Sequence, residues 1–269
     1  FDPIYGAMTD SEIKELLDFW AKEVEENAFI PHDPVQIPHR YSRLQDIELA
    51  GFFAAIMAWG QRKTIINSAQ KLMLLMDDAP YDFVMQHEES DLQRLRSFVH
   101  RTLNGEDVIS MIRFFRQWYS GAPSLEDLFF SKVVLEAPIG DQVFCALTSF
   151  QQQWQAFPHE KRTDKHLASP AKGSACKRLN MYFRWMIRPH SPVDFGIWRK
   201  VSPAVLMCPL DVHVERVAQG LGLLQRNKSD WQSCCELTDR LRAFRPQDPV
   251  YYDYALFGIG VARNKEIIA

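Results

Sequence analysis

The chain has 269 residues, enough for one large domain or two lobes, and 46% apolar with 12% aromatic residues supplies a packed interior. No apolar run approaches the roughly 20 residues of a membrane span, which excludes a helical membrane protein. The net charge is only −3, and five cysteines without a CxxC pair exclude a closed disulfide framework and a four-cysteine cluster.

The cysteine usage implies a reducing, cytoplasmic location. No basic-then-apolar leader marks the chain for secretion, and its start at Phe1 rather than methionine implies trimming. No cofactor, metal cluster or membrane partner is expected.

Helical periods dominate in chain order. SEIKELLDFWAKEVEE predicts a first helix, opened by Thr9-Asp10-Ser11 and Glu12 as capping chemistry. DIELAGFFAAIMAWGQRKTIINSAQKLMLLM follows, with acids Asp46 and Glu48 at a helix start and a break expected at Gly60. DVISMIRFFRQWYSG is the next helix. SPAKGSACKRLNMYFRWMIRPHSP is a turn and a helix that Pro189 stops. Asp211 opens a helix whose apolar members are Val212, Val214, Val217 and Leu221, and SDWQSCCELTDRLRAF is another. In the last stretch, DPVYYDYALFGIGVARNK, Phe257-Gly258-Ile259-Gly260 has the form of a DNA-binding hairpin. So near the chain end it is taken as a helix stop at glycine. The fold class expected is all-α.

Charge is unevenly spread. Residues 161–200 hold ten Lys and Arg against two Asp, a net +8, while the rest of the chain holds 21 basic and 32 acidic groups, a net −11. One basic segment on an acidic body suits phosphate contact, or a solvated face with its acids nearby in space. On the helix after Lys177, Leu179, Phe183, Met186 and Ile187 share an apolar side. Lys177, Arg184 and Arg188, at i, i+7 and i+11, form a separate basic stripe.

Two residues carry candidate chemistry. Lys177 near a helix start opposes the helix dipole, which favours the neutral, nucleophilic amine; the alternative is a surface lysine, and Lys172 is a rival for the role. Asp211 caps a helix, or stabilises positive charge on a substrate and takes a proton from a nucleophile. His213 lacks partners at metal-ligand spacing. Gln61, Arg62 and Lys63, after the break at Gly60, touch a substrate or form a linker.

Together these residues resemble the helix-hairpin-helix superfamily of DNA glycosylases. Its members carry Gly-apolar-Gly-x-Lys before a helix, with the lysine as nucleophile; here the run is Gly173-Ser174-Ala175-Cys176-Lys177, with Ala175 in place of the second glycine. The 8-oxoguanine branch continues with Pro-Val-Asp-Val-His-Val, and this chain reads Pro209-Leu210-Asp211-Val212-His213-Val214. LAGFFAAIMAWGQRKTIINSAQKL is similar to an early helix of the superfamily that ends in a Gln-containing turn near the base. KRLNMYFRWMIR with PLDVHVERVAQGLGLL is similar to an uncharacterised bacterial family placed in it.

The resemblance implies a two-lobed helical fold with a cleft between lobe A, approximately 46–188, and lobe B, approximately 1–45 plus 189–269. It implies base excision from double-stranded DNA with Lys177 as Schiff-base nucleophile and Asp211 as its acid–base partner. Lys172, Gly173, Ser174, Arg178, Arg184 and Arg188, with Gln61, Arg62 and Lys63, would hold nucleic acid. Trp59, Trp185, Phe195 or Trp198 would stack on the flipped base, or simply pack the core. The alternatives are a nucleic-acid binder without chemistry and a scaffold whose basic segment meets an acidic protein.

Overall fold

The computed structural model describes residues 8–268, with side chains described through Ala262. Its elements run α1 (Asp10–Val24), α2 (Leu44–Met57), α3 (Arg62–Leu75), α4 (Pro80–Gln86), β1 (Val99–His100), β2 (Leu103–Asn104), α5 (Gly105–Tyr119), α6 (Glu126–Phe129) and α7 (Lys132–Leu135). They continue with α8 (Gln142–Ala156), α9 (Lys177–Ile187), α10 (Val212–Gly220), α11 (Trp231–Phe244) and α12 (Tyr251–Ile268). The described chain is thus mostly helical, with one two-stranded antiparallel ladder, β1–β2, that the sequence reading missed. None of these helices is long and apolar enough to cross a membrane.

The chain divides into two units. A terminal unit comprises Phe1–Phe29, Ile139–Val143 and Ser169–Ala269, and a central unit comprises Ile30–Pro138 and Phe144–Ala168. The expected boundary near 188 is therefore displaced: α9 folds with the terminal residues, not with 46–168. Residues 1–7 of the expected lobe B lie outside the described residues.

In the central unit α2 is apolar all round, and every residue from Ile47 to Met57 is buried, as a helix without a polar face must be. Phe52 meets Phe115 edge-on at 4.8 Å, and Phe114, Phe129, Phe150 and Trp154 extend the aromatic core. Glu48 does not face the helix dipole as expected, because α2 starts four residues earlier. Its fully buried carboxylate accepts from Tyr119 Oη at 2.8 Å, Ser124 Oγ at 2.5 Å and the Leu125 N–H at 3.0 Å. The break at Gly60 is real: α2 ends at Met57, and Gln61 opens α3.

In the terminal unit Thr9 and Glu12 form a reciprocal capping box on α1. The expected glycine stop in the last helix fails, because α12 runs through both Gly258 and Gly260. Of the two, Gly258 serves close packing. A Cβ at 258 would fall 2.4 Å from Val24 Cγ2, so glycine lets α12 approach α1. Two residues on, a Cβ at 260 would meet His213 Cβ at 3.6 Å, which sets α12 beside the first turn of α10. All residues of α9 from Leu179 to Ile187 are buried, Arg184 included.

Candidate active site

The turn before α9 is built backbone-first. Gly173 has φ of 81°, a left-handed conformation that glycine adopts without steric cost. Its carbonyl accepts from the Trp231 N–H at 3.1 Å, and Ser174 pairs with Asp230 in an isolated bridge, so the start of α11 pins the turn. Cys176, also left-handed at φ 50°, leads directly into Lys177, the first residue of α9. The Asn180 amide donates to the Ala175 carbonyl at 3.0 Å, so a side chain of α9 itself satisfies that carbonyl.

Asp211 caps α10 and faces Lys177 at the same time. Its Oδ1 accepts from the His213 and Val214 N–H groups, each at 2.9 Å. Its Oδ2 lies 3.6 Å from Lys177 Nζ. The two roles are therefore divided between the two oxygens. The side chains of Lys177 and Asp211 are 31% and 30% exposed, which leaves both open to a ligand.

Behind this pair Arg184 of α9 and Arg188 at its C-cap are neutralised. Arg184 pairs with Asp253, on α12, and with Asp194, whose Oδ1 lies 3.4 Å from Nε. Arg188 meets Asp194 at 2.5 Å, Glu25 at 2.7 Å and Asp248 at 3.0 Å. Burial works against the Arg188 charge, but these three carboxylates raise its affinity for the proton well above the ordinary guanidinium range. Arg184 and Arg188 are 5% and 3% exposed and already matched by acids, so they leave the set expected to hold phosphates.

Asp253 links this network to the Lys177–Asp211 pair. Burial raises its carboxyl to about 6; Arg184 opposes the rise, Asp211 adds to it, and Lys177 opposes it. Its Oδ1 also lies 4.0 Å from Cys208 Sγ, a thiol that burial and the neighbouring Asp253 charge hold well above its ordinary value.

The other expected residues are scattered. Lys172 and Gly173 are exposed beside the turn, and Ser174 is half-buried with Oγ accepting from the Cys176 N–H at 3.1 Å. Arg178 is half-buried, and burial lowers its proton affinity. Trp185 and Trp198 are buried to 0% and 1% exposure and belong to the core rather than a base pocket; Trp198 meets Tyr182 edge-on at 5.4 Å. Half-buried Phe195 donates its N–H to the Trp185 carbonyl at 2.8 Å, folding that loop onto the end of α9. Trp59, Gln61, Arg62 and Lys63 belong to the central unit, where Trp59 is half-exposed and the other three are exposed at the start of α3. Among the described residues no three His, Cys, Asp or Glu are arranged to hold a metal ion.

A family model described as a protein of unknown function, DUF2400, matches residues 33–262, most of the chain. The chain belongs to the DUF2400 family. No curated protein and no solved structure matches it. The DUF2400 span contains Lys177, Asp211, Arg184 and Asp253, whereas α1 precedes it.

Sequence reasoning missed Asp253 and Asp194. A signal for Asp253 existed in VYYDYALF, where a carboxylate interrupts an aromatic run that has every mark of a buried helix face.

Proposed function

We propose that this DUF2400 chain is a base-excision enzyme on nucleic acid, with Lys177 as nucleophile and Asp211 as its proton acceptor. One observation carries it: two side chains 34 residues apart in sequence, an amine and a carboxylate, meet at 3.6 Å where both remain open to solvent. A helix-hairpin-helix glycosylase fold, with its two lobes and cleft, is part of this reading. It is supported by the mostly helical architecture, the turn into α9 and the PLDVHV sequence at the start of α10.

In this reading the Lys177 lone pair attacks C1′ of a nucleotide whose base is flipped out of the stack. The N-glycosidic bond breaks, its electron pair leaves with the base, and the base takes up a proton. Asp211 accepts the proton that the lysine nitrogen gives up. The C1′–O4′ bond then breaks, O4′ takes the proton back from Asp211, and an iminium is left at C1′. Loss of a C2′ proton expels the 3′ phosphate, and water releases the lysine.

The test is borohydride trapping on duplexes that carry 8-oxoguanine or an abasic site. A covalent adduct that Lys177→Gln abolishes is expected. Its absence on every lesion, or its persistence in Lys177→Gln, would overturn the assignment. A second reading, a nucleic-acid binder without chemistry, is favoured by one observation: the two N–H bonds at Asp211 Oδ1 already give that residue a structural purpose.

A further inference from the structure

The terminal unit holds a cavity of about 350 Å³ that shares no lining residue with the Lys177–Asp211 site. It lies between the last turns of α1, the turn that follows them and α12. Its volume is at the lower end of the roughly 300–1,000 Å³ of small-molecule sites. Three half-buried aromatic side chains, Trp20, Phe29 and Phe257, supply most of the wall, with Glu23 and Glu26 exposed beside them. The rest of the lining is small and apolar.

Packing fixes the rings. Phe29 meets Phe257 at 5.7 Å and 85°, and Tyr254 at 5.5 Å and 82°, so perpendicular rings form one corner. Trp20 rests against Gly258, where a Cβ would come 3.1 Å from Cε3, and the bare glycine gives the indole its seat on α12.

The charge of the cavity is negative. No Lys, Arg or His is among the described residues that line it. Within the described residues the carboxylates of Glu23 and Glu26 make no hydrogen bond or ion pair. Glu25, between them in sequence, is paired with Arg188 and stands outside the cavity. Backbone acceptors close to it are already used. The Ala21 carbonyl accepts from the Glu25 N–H, Val24 from Glu26 and Glu26 from Phe29, each at 2.9 Å. A primary ammonium has three N–H donors that need partners once water is displaced. A quaternary ammonium has none, keeps its charge and is attracted to ring faces.

We propose that this cavity binds a small quaternary ammonium ion, with Trp20, Phe29 and Phe257 as the ring faces and Glu23 and Glu26 as the counter-charges. An anion would be repelled by the two carboxylates, and a neutral apolar ligand would leave them unused. A trimethylammonium head fills only part of the volume, which leaves room for the remaining atoms of a free ion. A methylated lysine or a lipid headgroup would keep those atoms outside. The inference goes beyond the base-excision reading and uses none of its residues.

The test is a ligand-detected NMR titration of the full chain. The probes are choline, its uncharged isostere with a tert-butyl group in place of the trimethylammonium, and the primary amine ethanolamine. Choline should bind about tenfold more tightly than either of the others. Trp20→Leu should weaken choline about tenfold and leave the isostere much less affected. Should Trp20→Leu fail to fold, the double variant Glu23→Gln, Glu26→Gln, altered only at exposed positions, decides. It should weaken choline about threefold to tenfold and leave the isostere unchanged.

Equal binding of the isostere or of ethanolamine overturns the proposal, as does wild-type affinity for choline in the folded variants. Binding about tenfold tighter to a trimethyl-lysine peptide or to phosphatidylcholine vesicles would place the ammonium on a macromolecule and overturn the assignment to a free ion. The absence of choline binding up to about 10 mM would end it outright.

Discussion

Lys177 and Arg188 sit 11 residues apart on one basic stripe of α9, and the fold treats them oppositely. Arg188 is 3% exposed and shares its guanidinium among Asp194, Asp248 and Glu25. Lys177 is about a third exposed and faces Asp211 across 3.6 Å. A cation enclosed by several acids has its charge fully used and cannot be withdrawn without leaving carboxylates unpaired. A cation with one partner, reached by solvent, can exchange that partner for a substrate. The difference shows that a charged periodicity marks a helix face, while burial and the number of counter-charges decide whether each position is enclosed or open to solvent.

The largest expected effect breaks the enclosed end. Arg188→Ala takes the shared cation from Glu25 and Asp248, leaves Asp194 with Arg184 alone, and should cost about 3–5 kcal/mol of unfolding free energy. Urea denaturation at neutral pH reads this directly. A loss below about 1 kcal/mol would mean that this end is no more committed to structure than Lys177.

Next in size is the pH dependence of Asp253, which lies between the two ends. Its carboxyl is raised from 3.8 to about 6, so the folded protein binds its proton more tightly than the unfolded chain does. That contribution is complete below about pH 4 and is lost as pH rises through about 6. The stability of wild type relative to Asp253→Asn should therefore decline across that window, by at most about 3 kcal/mol. Parallel stability curves for the two proteins would refute it.

Asp107, in the central unit, has the opposite sign. Burial pushes its carboxyl up, but bonds from His166, the Asn104 N–H and Thr163 bring it down to about 2. Its contribution is present above about pH 4 and disappears as pH falls toward 2. The stability gap between wild type and Asp107→Asn should close over that range, as acid unfolding curves would show.

The smallest stability effects belong to the solvent-open end. Lys177→Gln removes one partly exposed ion pair and should change stability by less than about 1 kcal/mol while abolishing the trapped adduct. Asp211→Asn keeps an N-cap acceptor and should move stability by only about 0.5 kcal/mol, yet also lose the adduct. Full trapping activity in Asp211→Asn would reduce Asp211 to a capping residue and dissolve the contrast with Arg188.

What the sequence by itself determined was local. The capping box at Thr9, the break at Gly60, the stop before Pro189 and the cap at Asp211 all follow from neighbouring residues, because caps and breakers act within one helical turn. Lys177 and Asp211 are legible one by one because each stands at a helix start that local chemistry marks; their pairing came from the resemblance. Only the tertiary structure decided which charges meet. Arg184 and Arg188 read as a solvent-facing stripe until α12 and the 194 loop supply their acids; Glu48 read as a dipole partner until Tyr119 and Ser124 enclose it. Gly258 and Gly260 read as a helix end until α12 runs through both and α1 closes on Gly258. Charge pairing and close packing join residues tens to hundreds of positions apart, and a periodicity measured along one helix carries no information about what lies across from it.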